Sequence, residues 1–419
     1  MNSPSPELIR DIVITAEGLL SQRFGGNQSL TDVKELSGSG NAVVLRAKVA
    51  PSPFLQQRSV VLKYVPGAGN IGDEANLIRE IVAYQFTTSL QEDVRPGPVL
   101  LTHDVEKKLL VITDAGDGDT FAELLMRSSQ DNRVEILRAL GKAIGKMHAS
   151  TADKEQDFNI LLGRMLAKHP QIKEVHRVRE HMPVAAIAIG ERLVRAAGIE
   201  IPQEVTNLAA EASRRLSSGQ HRAFTPFDLT PENVIVSDRT HFLDYEWAGF
   251  RDAAFDVACV VAGFPQNLST RPISDEEADV FIDSWVREVN VMWPNVNNRE
   301  RLNARIIAAM IGWSFSSVAL MHFDVNDPEV LAMILPNGKA IDLDEETIAS
   351  LVESASPWAI DLLSGTPVEP EDDMRLIRLD LYETFEALER FAARGNGSNF
   401  APIATFAREV VSRLTVEER

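Results

Sequence analysis

Two carboxylates and an amide lie close together in the sequence, beside two short runs of β-type residues. Asp228 and Asn233 precede the apolar run Val234–Val236, and Asp244 follows a second run, Phe242–Leu243. A polar turn joins the two runs, which predicts a β-hairpin that can bring all three side chains to one edge. Phosphoryl transfer requires a carboxylate to orient the attacking hydroxyl and oxygen ligands for Mg²⁺. The stretch is therefore a candidate site for this chemistry.

The residues around these groups resemble the catalytic segments of aminoglycoside phosphotransferase and choline kinase-like enzymes. Thr225–Val236 resembles their catalytic loop, Leu243–Gly249 their metal-binding segment, and Arg251–Ala258 the Asp-containing helix start that follows. The three segments have the order and spacing of the family. The chain departs from it at Pro226-Phe227, where the family usually has His-Gly before the catalytic Asp.

The resemblance implies a role for each of these residues. Asp228 would be the catalytic base, or would orient the acceptor hydroxyl and take its proton late, while Asn233 and Asp244 would hold Mg²⁺. The residues alone leave simpler interpretations open, because an Asp before Pro231 can form a turn and the other two can cap a hairpin. Glu246 is either a secondary metal ligand or a solvated charge, and the sequence favours neither.

The N-terminal part of the chain predicts a small nucleotide-binding lobe. Five strands and one helix are indicated, at Leu30–Leu36, Ala42–Val49, Ser59–Val65, Val99–His103, Leu109–Thr113 and Asp73–Thr88. A Gly-rich turn between the first two strands can bring backbone N–H groups close to phosphates. The resemblance assigns Gly38, Ser39, Gly40 and Asn41 of this turn to nucleotide binding, although glycines in a hairpin also serve as a turn alone.

Lys63 lies in the third predicted strand and matches the phosphate-pairing Lys of the kinase-like fold. A lone Lys in an apolar strand also occurs as a snorkelling residue at a sheet edge. In the predicted helix, Glu80 resembles the Glu that pairs with this Lys. Glu74 is the weaker alternative, because acids in a first helical turn often only complement the helix dipole.

The segment after the fifth strand is predicted to link two lobes. By resemblance, the backbone of Ile112, Thr113 and Asp114 would contact the adenine of ATP. The acidic run Asp114–Asp119 lacks the ligand spacing of an EF-hand. We interpret it as a hinge that leads into a helix with the capping box Thr120-x-x-Glu123.

The rest of the sequence predicts a mainly helical lobe. In the helix Val134–Ser150, His148 is interpreted as a packed residue rather than a ligand, and Asp256 further on as a loop anchor. Helical patterns at about 152–219 predict an insertion relative to protein kinases, of the kind that walls the acceptor site in the enzymes that the chain resembles. Five later helices are predicted at Asp275–Trp293, Arg299–Phe323, Asp344–Leu363 (broken or kinked before Pro357), Met374–Ala393 and Ala404–Leu414. Trp313 and Phe315 are interpreted as core residues.

These elements and the resemblance together predict an α+β fold of the two-lobed protein kinase-like type. It would have a small antiparallel-sheet N-lobe and a large, mainly helical C-lobe with a helical insertion and a C-terminal helical extension. The predicted domains are an N-terminal helix (1–28), the nucleotide-binding N-lobe (29–113), the C-lobe core (114–265) and its C-terminal helical part (266–419).

Composition limits the partners of the chain. Its 419 residues carry a formal charge of -19, which argues against nucleic acid and anionic membranes and weakly favours a cationic acceptor. The single cysteine, Cys259, excludes an intrachain disulfide. The N-terminus has no signal-peptide pattern, and the longest apolar runs, such as Val184–Ile189, are too short to span a bilayer. We expect a cytoplasmic protein.

The resemblance implies a small-molecule kinase that uses ATP and Mg²⁺. The acceptor would be a hydroxyl of an amino sugar or aminoglycoside, an amino alcohol or a sugar. The sequence lacks the motifs of P-loop NTPases, serine hydrolases of the nucleophile-elbow type and zincins, and the His-Arg-Asp and Asp-Phe-Gly motifs of protein kinases. The alternative is a catalytically impaired nucleotide-binding pseudokinase that acts as a protein-interaction module, suggested by Pro226-Phe227 and the long helical tail.

Overall fold

The structure is a computed structural model. This structure describes residues 4–36, 42–66, 71–267, 272–323, 344–365, 372–395 and 400–414. The chain forms two compact units. The first unit contains Met1–Gly118, Gln156–Lys173 and Ile235–Ala248, and the second contains Asp119–Glu155, Glu174–Val234 and Gly249–Arg419. The four domain ranges given above stay a prediction.

The helices and strands follow one another in this order. The N-terminal elements are α1 (Pro6–Phe24), β1 (Leu30–Leu36), β2 (Val43–Val49), β3 (Ser59–Tyr64), α2 (Ile71–Thr88), β4 (Leu100–Asp104) and β5 (Leu109–Thr113). The next are β6 (Asp119–Thr120), α3 (Phe121–Arg127), α4 (Gln130–Thr151), α5 (Glu155–Lys168), α6 (Lys173–Ala196) and α7 (Gln203–Ser218). Four strands follow, β7 (Arg222–Thr225), β8 (Val234–Val236), β9 (Thr240–Phe242) and β10 (Gly249–Asp252). The C-terminal helices are α8 (Ala254–Val261), α9 (Asp275–Val289), α10 (Arg299–Leu320), α11 (Glu345–Leu363), α12 (Asp372–Ala393) and α13 (Ala401–Leu414).

The first unit is built on an antiparallel sheet with the strand order β1-β2-β3-β5-β4. The alternation of side chains along β3 directs Val60 and Leu62 to one face, where they join a core with Ile12 and Leu20 of α1. The same alternation directs Lys63 to the opposite face. The five predicted strands and the predicted helix are all present, with ends within two residues of those expected.

The second unit is mostly helical, and glycines allow its helices to approach closely. Helix α4 packs along α9, where a Cβ at Gly141 would overlap the carbonyl oxygen of Phe281. Helix α6 approaches α10 in the same way, at Gly190 and Phe315. The strands β7 and β10 pair antiparallel, with Phe224 opposite Phe250. The strand that leads into the predicted catalytic loop is thereby fixed within this helical unit.

Helix α10 is long and apolar enough to span a membrane, judged by length and composition alone. The mean hydropathy of an 18-residue stretch within Arg299–Leu320 is 1.2, but 83% of that stretch is buried in the structure. It packs against α7, α8 and α12. Trp313 is 7% and Phe315 0% exposed, so both are core residues, as predicted.

Several predicted boundaries were wrong, and prolines account for two of them. Helix α6 runs through Pro183, although its first half was not predicted, and α11 runs through Pro357 without the predicted break. Proline removes one helical hydrogen bond, a loss that tertiary packing of the helix can offset. Helix α9 ends at Val289 rather than Trp293, and the second hairpin strand is Thr240–Phe242 rather than Phe242–Leu243.

The close approach of α6 and α10 predicts a large difference between two similar substitutions. Gly190→Ala should lower the free energy of unfolding by about 1–3 kcal/mol, because the new Cβ forces the two backbones apart. Gly163→Ala is the matched control: it lies in α5, has no neighbour within 4 Å of an added Cβ, and should raise stability by about 1 kcal/mol. Urea denaturation measures both, and equal effects of the two substitutions would contradict this packing.

Candidate active site

A buried lysine binds two carboxylates in the first unit. The Nζ atom of Lys63 lies 2.9 Å from Oε2 of Glu80 and 2.8 Å from Oδ1 of Asp244. The side chains are 14%, 3% and 24% exposed, respectively. Strand β3 supplies the lysine, helix α2 supplies Glu80, and the segment after β9 supplies Asp244. The fold thus joins three sequence-predicted residues that are far apart in the chain.

The charges of this cluster depend on one another. Burial alone would lower the pKa of Lys63, but the carboxylates of Glu80 and Asp244 outweigh it, so the pKa is raised and the ammonium stays charged. Burial alone raises the pKa of Glu80, whereas the positive charge of Lys63 lowers it and favours the carboxylate. The ring of Tyr84 packs against Tyr245 with centroids 4.8 Å apart, and both side chains are buried. Water is therefore largely excluded from this side of the cluster.

Helix α2 holds the segment around Asp244 at a second point. Nδ2 of Asn76 donates to Oε2 of Glu246 over 3.0 Å, so Glu246 is bound to the helix and is not simply a solvated charge. The competing candidate, Glu74, accepts instead from Nε2 of Gln171 at 2.5 Å. Asp244 itself has a φ of 56°, a left-handed conformation that is uncommon for residues other than glycine and that often occurs at functional sites.

The segment predicted to contact adenine forms the end of β5 and the residues after it. Ile112 and Thr113 pair with Val61 and Val60 of β3. Nη2 of Arg46 donates to Oδ1 of Asp114 at 2.8 Å, so an arginine from β2 fixes this segment. The predicted phosphate-binding turn, with Gly38, Ser39, Gly40 and Asn41, lies outside the described residues.

Asp228 and Asn233 belong to the second unit. Oδ1 of Asp228 accepts from the backbone N–H of Thr230 at 3.4 Å, and the N–H of Asn233 donates to the carbonyl of Thr230 at 2.9 Å. Both side chains are half-buried. The turn that the sequence offered as the simpler interpretation of Asp228 is therefore present. This hydrogen bond also orients the carboxylate.

Buried contacts support the elements on either side of this loop. Nε2 of His148 lies 3.1 Å from Oδ2 of Asp256, and Nδ1 accepts from the indole N–H of Trp285 at 3.0 Å. The histidine is thus a packed residue, as predicted. One turn later in α4, Oγ1 of Thr151 accepts from the backbone N–H of Phe224 at 3.1 Å. Helix α4 therefore anchors both α8 and the strand that precedes the loop.

Comparison with known proteins decides the family. The model of the phosphotransferase enzyme family matches residues 54–289, more than half of the chain and the part that contains every site residue above from Lys63 onwards. The chain belongs to the phosphotransferase enzyme family. This membership confirms the resemblance, and with it the predicted enzyme class, a small-molecule phosphotransferase with a hydroxyl acceptor, and the α+β kinase-like fold class.

Solved structures with a similar fold are only distantly related. An ADP-bound aminoglycoside phosphotransferase APH(2'')-Ib is 11% identical, with 85% of this chain and 100% of that chain covered and a TM-score of 0.43. The choline kinase LicA from Streptococcus pneumoniae is 17% identical over 85% and 97%, with a TM-score of 0.43. A choline/ethanolamine kinase family protein from Mesorhizobium loti is 13% identical over 88% and 99%, with a TM-score of 0.40. No curated protein sequence matches the chain.

Phe227 stands where phosphotransferases of this type usually have glycine, and it keeps a glycine-like backbone. Its φ is 65°, in the left-handed region. Its ring stacks on Trp313 with centroids 5.3 Å apart, and the guanidinium of Arg251 lies 4.1 Å from the ring centroid. The indole N–H of Trp313 is bonded to the carbonyl of Phe255 at 2.9 Å. A packed ring therefore holds the residue next to Asp228.

Sequence reasoning did not find several of these supporting residues. Arg46, Asn76 and Arg251 meet their partners across long sequence separations, and no local pattern marks them. One sequence feature could have indicated the left-handed backbone at Phe227, namely the glycine that the family has at this position. A cavity of about 570 Å³ in the second unit, lined by α6, α7, α11, β7 and β10, was not foreseen either, and neither Asp228 nor Asn233 lines it.

The buried cluster makes Lys63 important for stability independently of catalysis. Lys63→Met should lower the free energy of unfolding by about 3–5 kcal/mol, because two carboxylates lose their cation in a buried site. Adding Glu80→Leu should recover part of this loss. Lys48→Met, which breaks the exposed pair with Asp32, is the control and should cost much less, because exposed ion pairs contribute little to stability. Chemical denaturation measures all three, and equal losses for Lys63 and Lys48 would refute the prediction.

The left-handed backbone at Phe227 predicts an unusual order of stabilities. Phe227→Gly and Phe227→Ala both remove the stacked ring, but alanine should be less stable than glycine by about 1–2 kcal/mol because its Cβ disfavours this conformation. At the exposed Phe54, which is not among the residues with positive φ, alanine should be at least as stable as glycine. Thermal unfolding of the four variants tests this; the same order at both positions would contradict it.

Proposed function

We propose that this phosphotransferase is a Mg²⁺-dependent kinase that transfers the γ-phosphoryl group of ATP to a hydroxyl of a small molecule. The observation that carries the proposal is the buried contact of Lys63 with Glu80 and Asp244. In a loose transition state the chemistry depends on placement and charge stabilisation, which such a cluster provides. Acceptors that fit the proposal are amino sugars or aminoglycosides, choline-like amino alcohols and sugars.

Each residue has a distinct part in this proposal. Lys63, which Glu80 holds in place, would bind the nucleotide phosphates. Its ammonium has three N–H donors, so it can bind a phosphate oxygen while it keeps a carboxylate partner. Asp228 would orient the acceptor hydroxyl and accept its proton late in the transfer. Ile112, Thr113 and Asp114 would bind adenine through their backbone.

The residues proposed to bind Mg²⁺ suit that ion. Asn233 and Asp244 offer an amide oxygen and a carboxylate, which hard cations prefer. Among the described residues, no three His, Cys, Asp or Glu side chains form a ready-made metal site. Mg²⁺ commonly binds through one or two carboxylates together with substrate phosphates, so it does not require a ready-made protein site. When bound, Mg²⁺ would neutralise charge on the phosphates during transfer.

The pseudokinase alternative draws on the Pro226-Phe227 replacement and on the helical tail. Phe227 has the left-handed backbone that glycine adopts readily, so the replacement is compatible with the course of the chain before Asp228. The retained cluster around Lys63 favours an active enzyme. A cytoplasmic location remains part of the proposal, because it fits ATP as the phosphoryl donor.

The decisive measurement is Mg²⁺-dependent ADP release from ATP, with amino sugars, aminoglycosides, choline analogues and neutral sugars as acceptors. At least one class should stimulate release by the unmodified chain. Asp228→Asn should lower kcat roughly 10²- to 10⁴-fold with little change in nucleotide affinity, because the general base is lost. Asp244→Asn should abolish Mg²⁺-dependent ADP release, because the carboxylate proposed to bind the ion is lost.

Asp238→Asn is the matched control, since this exposed residue lies in the turn between β8 and β9 and should leave kcat unchanged. Nucleotide binding without release for any acceptor would favour the pseudokinase. Failure of both ATP and GTP to bind in the presence of Mg²⁺ would overturn the proposal.

A further inference from the structure

A buried aspartate in the C-terminal helices contacts the segment that follows α8. Asp380 lies in α12, beyond the part of the chain that matches the family model, and is 3% exposed. Its Oδ1 accepts from the backbone N–H of Gln266 at 2.7 Å. Oδ2 is buried and has no hydrogen-bond partner among the described residues. A carboxylate is seldom fully buried unless it is paired, so the partner of Asp380 is informative.

Asp380 contacts a segment in which two residues have an unfavourable backbone conformation. Phe264 and Gln266 have φ values of 63° and 69°, both in the left-handed region. Such conformations persist only where the surroundings fix them. The fixing contacts include local backbone bonds, such as that from the N–H of Phe264 to the carbonyl of Cys259 at 2.9 Å, and the edge-to-face packing of Phe264 on Phe121, with centroids 5.8 Å apart. Helix α12 adds the bond from Gln266 to Asp380.

The same segment binds the predicted catalytic loop. Nδ2 of Asn267 donates to Oε2 of Glu232 over 2.6 Å. Glu232 precedes Asn233 in a short 3₁₀ turn, four residues after Asp228. Two hydrogen bonds and one residue of backbone thus connect the Asp380 carboxylate to the side chain of Glu232.

The charges of Asp380 and of Asp228 in the loop act on one buried thiol. Burial raises the pKa of Cys259, and the charges of Asp256, Asp228 and Asp380 raise it further. Burial also raises the pKa of Asp380 to about 7, while the hydrogen bond from the N–H of Gln266 opposes the shift. That hydrogen bond stabilises the charged carboxylate.

We propose that Asp380 is a positioning residue for phosphoryl transfer: it fixes Phe264–Asn267 and, through Asn267 and Glu232, the loop that carries Asp228 and Asn233. The proposal rests on the proposed function and assigns a task to the C-terminal helices. Asp380 acts through the loop and does not itself contact substrate.

The test compares three variants of the full-length chain. Asp380→Leu removes the acceptor of the Gln266 N–H while it keeps a side chain of similar size, and Asn267→Ala removes the side-chain bond to Glu232. Glu383→Gln, one turn along α12, removes a charge near Asp380 and is the control. Asp380→Leu and Asn267→Ala should each lower kcat at least fivefold, with the Kd of ATP changed less than twofold. The double variant should have about the same kcat as the less active of the two single variants, because both substitutions break the same connection.

Hydrogen exchange tests the connection without any acceptor. In Asp380→Leu and in Asn267→Ala, amides in 228–233 should exchange faster than in the unmodified chain, and Glu383→Gln should not differ from it. Faster exchange confined to 264–267 in Asp380→Leu would overturn the proposal, because Asp380 would then anchor its own segment only. Additive losses in kcat would overturn it as well. Failure of the proposed function is distinguishable, since it would appear as no acceptor-stimulated ADP release from the unmodified chain.

Discussion

The buried ammonium of Lys63 is the interaction on which the first unit depends. It faces two carboxylates from parts of the chain that lie 17 and 181 residues away in sequence. Burying three charges is unfavourable unless each is bound, so strand β3, helix α2 and the segment after β9 must keep their places together. The contact of Asn76 with Glu246, the packing of Tyr84 on Tyr245 and the left-handed backbone at Asp244 all serve this arrangement. The stability of the unit and the proposed chemistry therefore depend on the same side chains.

Local sequence patterns predicted the first unit well because the directions of its side chains follow from the strand or helix that carries them. Alternation along β3 places Val60 and Leu62 in the core and Lys63 on the other face. The family resemblance, together with the position of Glu74 in the first helical turn, favoured Glu80 as the partner of Lys63, and the structure has this contact. Side-chain direction within one strand or helix follows from sequence. The direct contact of Lys63 with Asp244 was not predicted, because it depends on how a distant segment folds back onto the sheet.

The second unit shows where such reasoning fails. Pro183 marks a helix end in a sequence, yet α6 continues through it because the residues on both sides are packed in the second unit. The ring of Phe227 meets Arg251 and Trp313, which lie in a later strand and a later helix. Propensity and spacing describe neighbours along the chain, whereas these contacts are fixed by tertiary packing. Turn residues and caps near the loop were predictable; its aromatic and ionic supports were not.

The stack beside Asp228 also has a consequence for how relatives of this chain are recognised. A side chain at the family's glycine position is tolerated here together with a ring at Trp313 and a guanidinium at Arg251, so the three positions are expected to change in concert during evolution. A pattern of Pro-Phe before the loop, with Arg and Trp at the corresponding later positions, would then define a subgroup of phosphotransferases. Searches that require His-Gly would overlook its members, although their loops follow the same path.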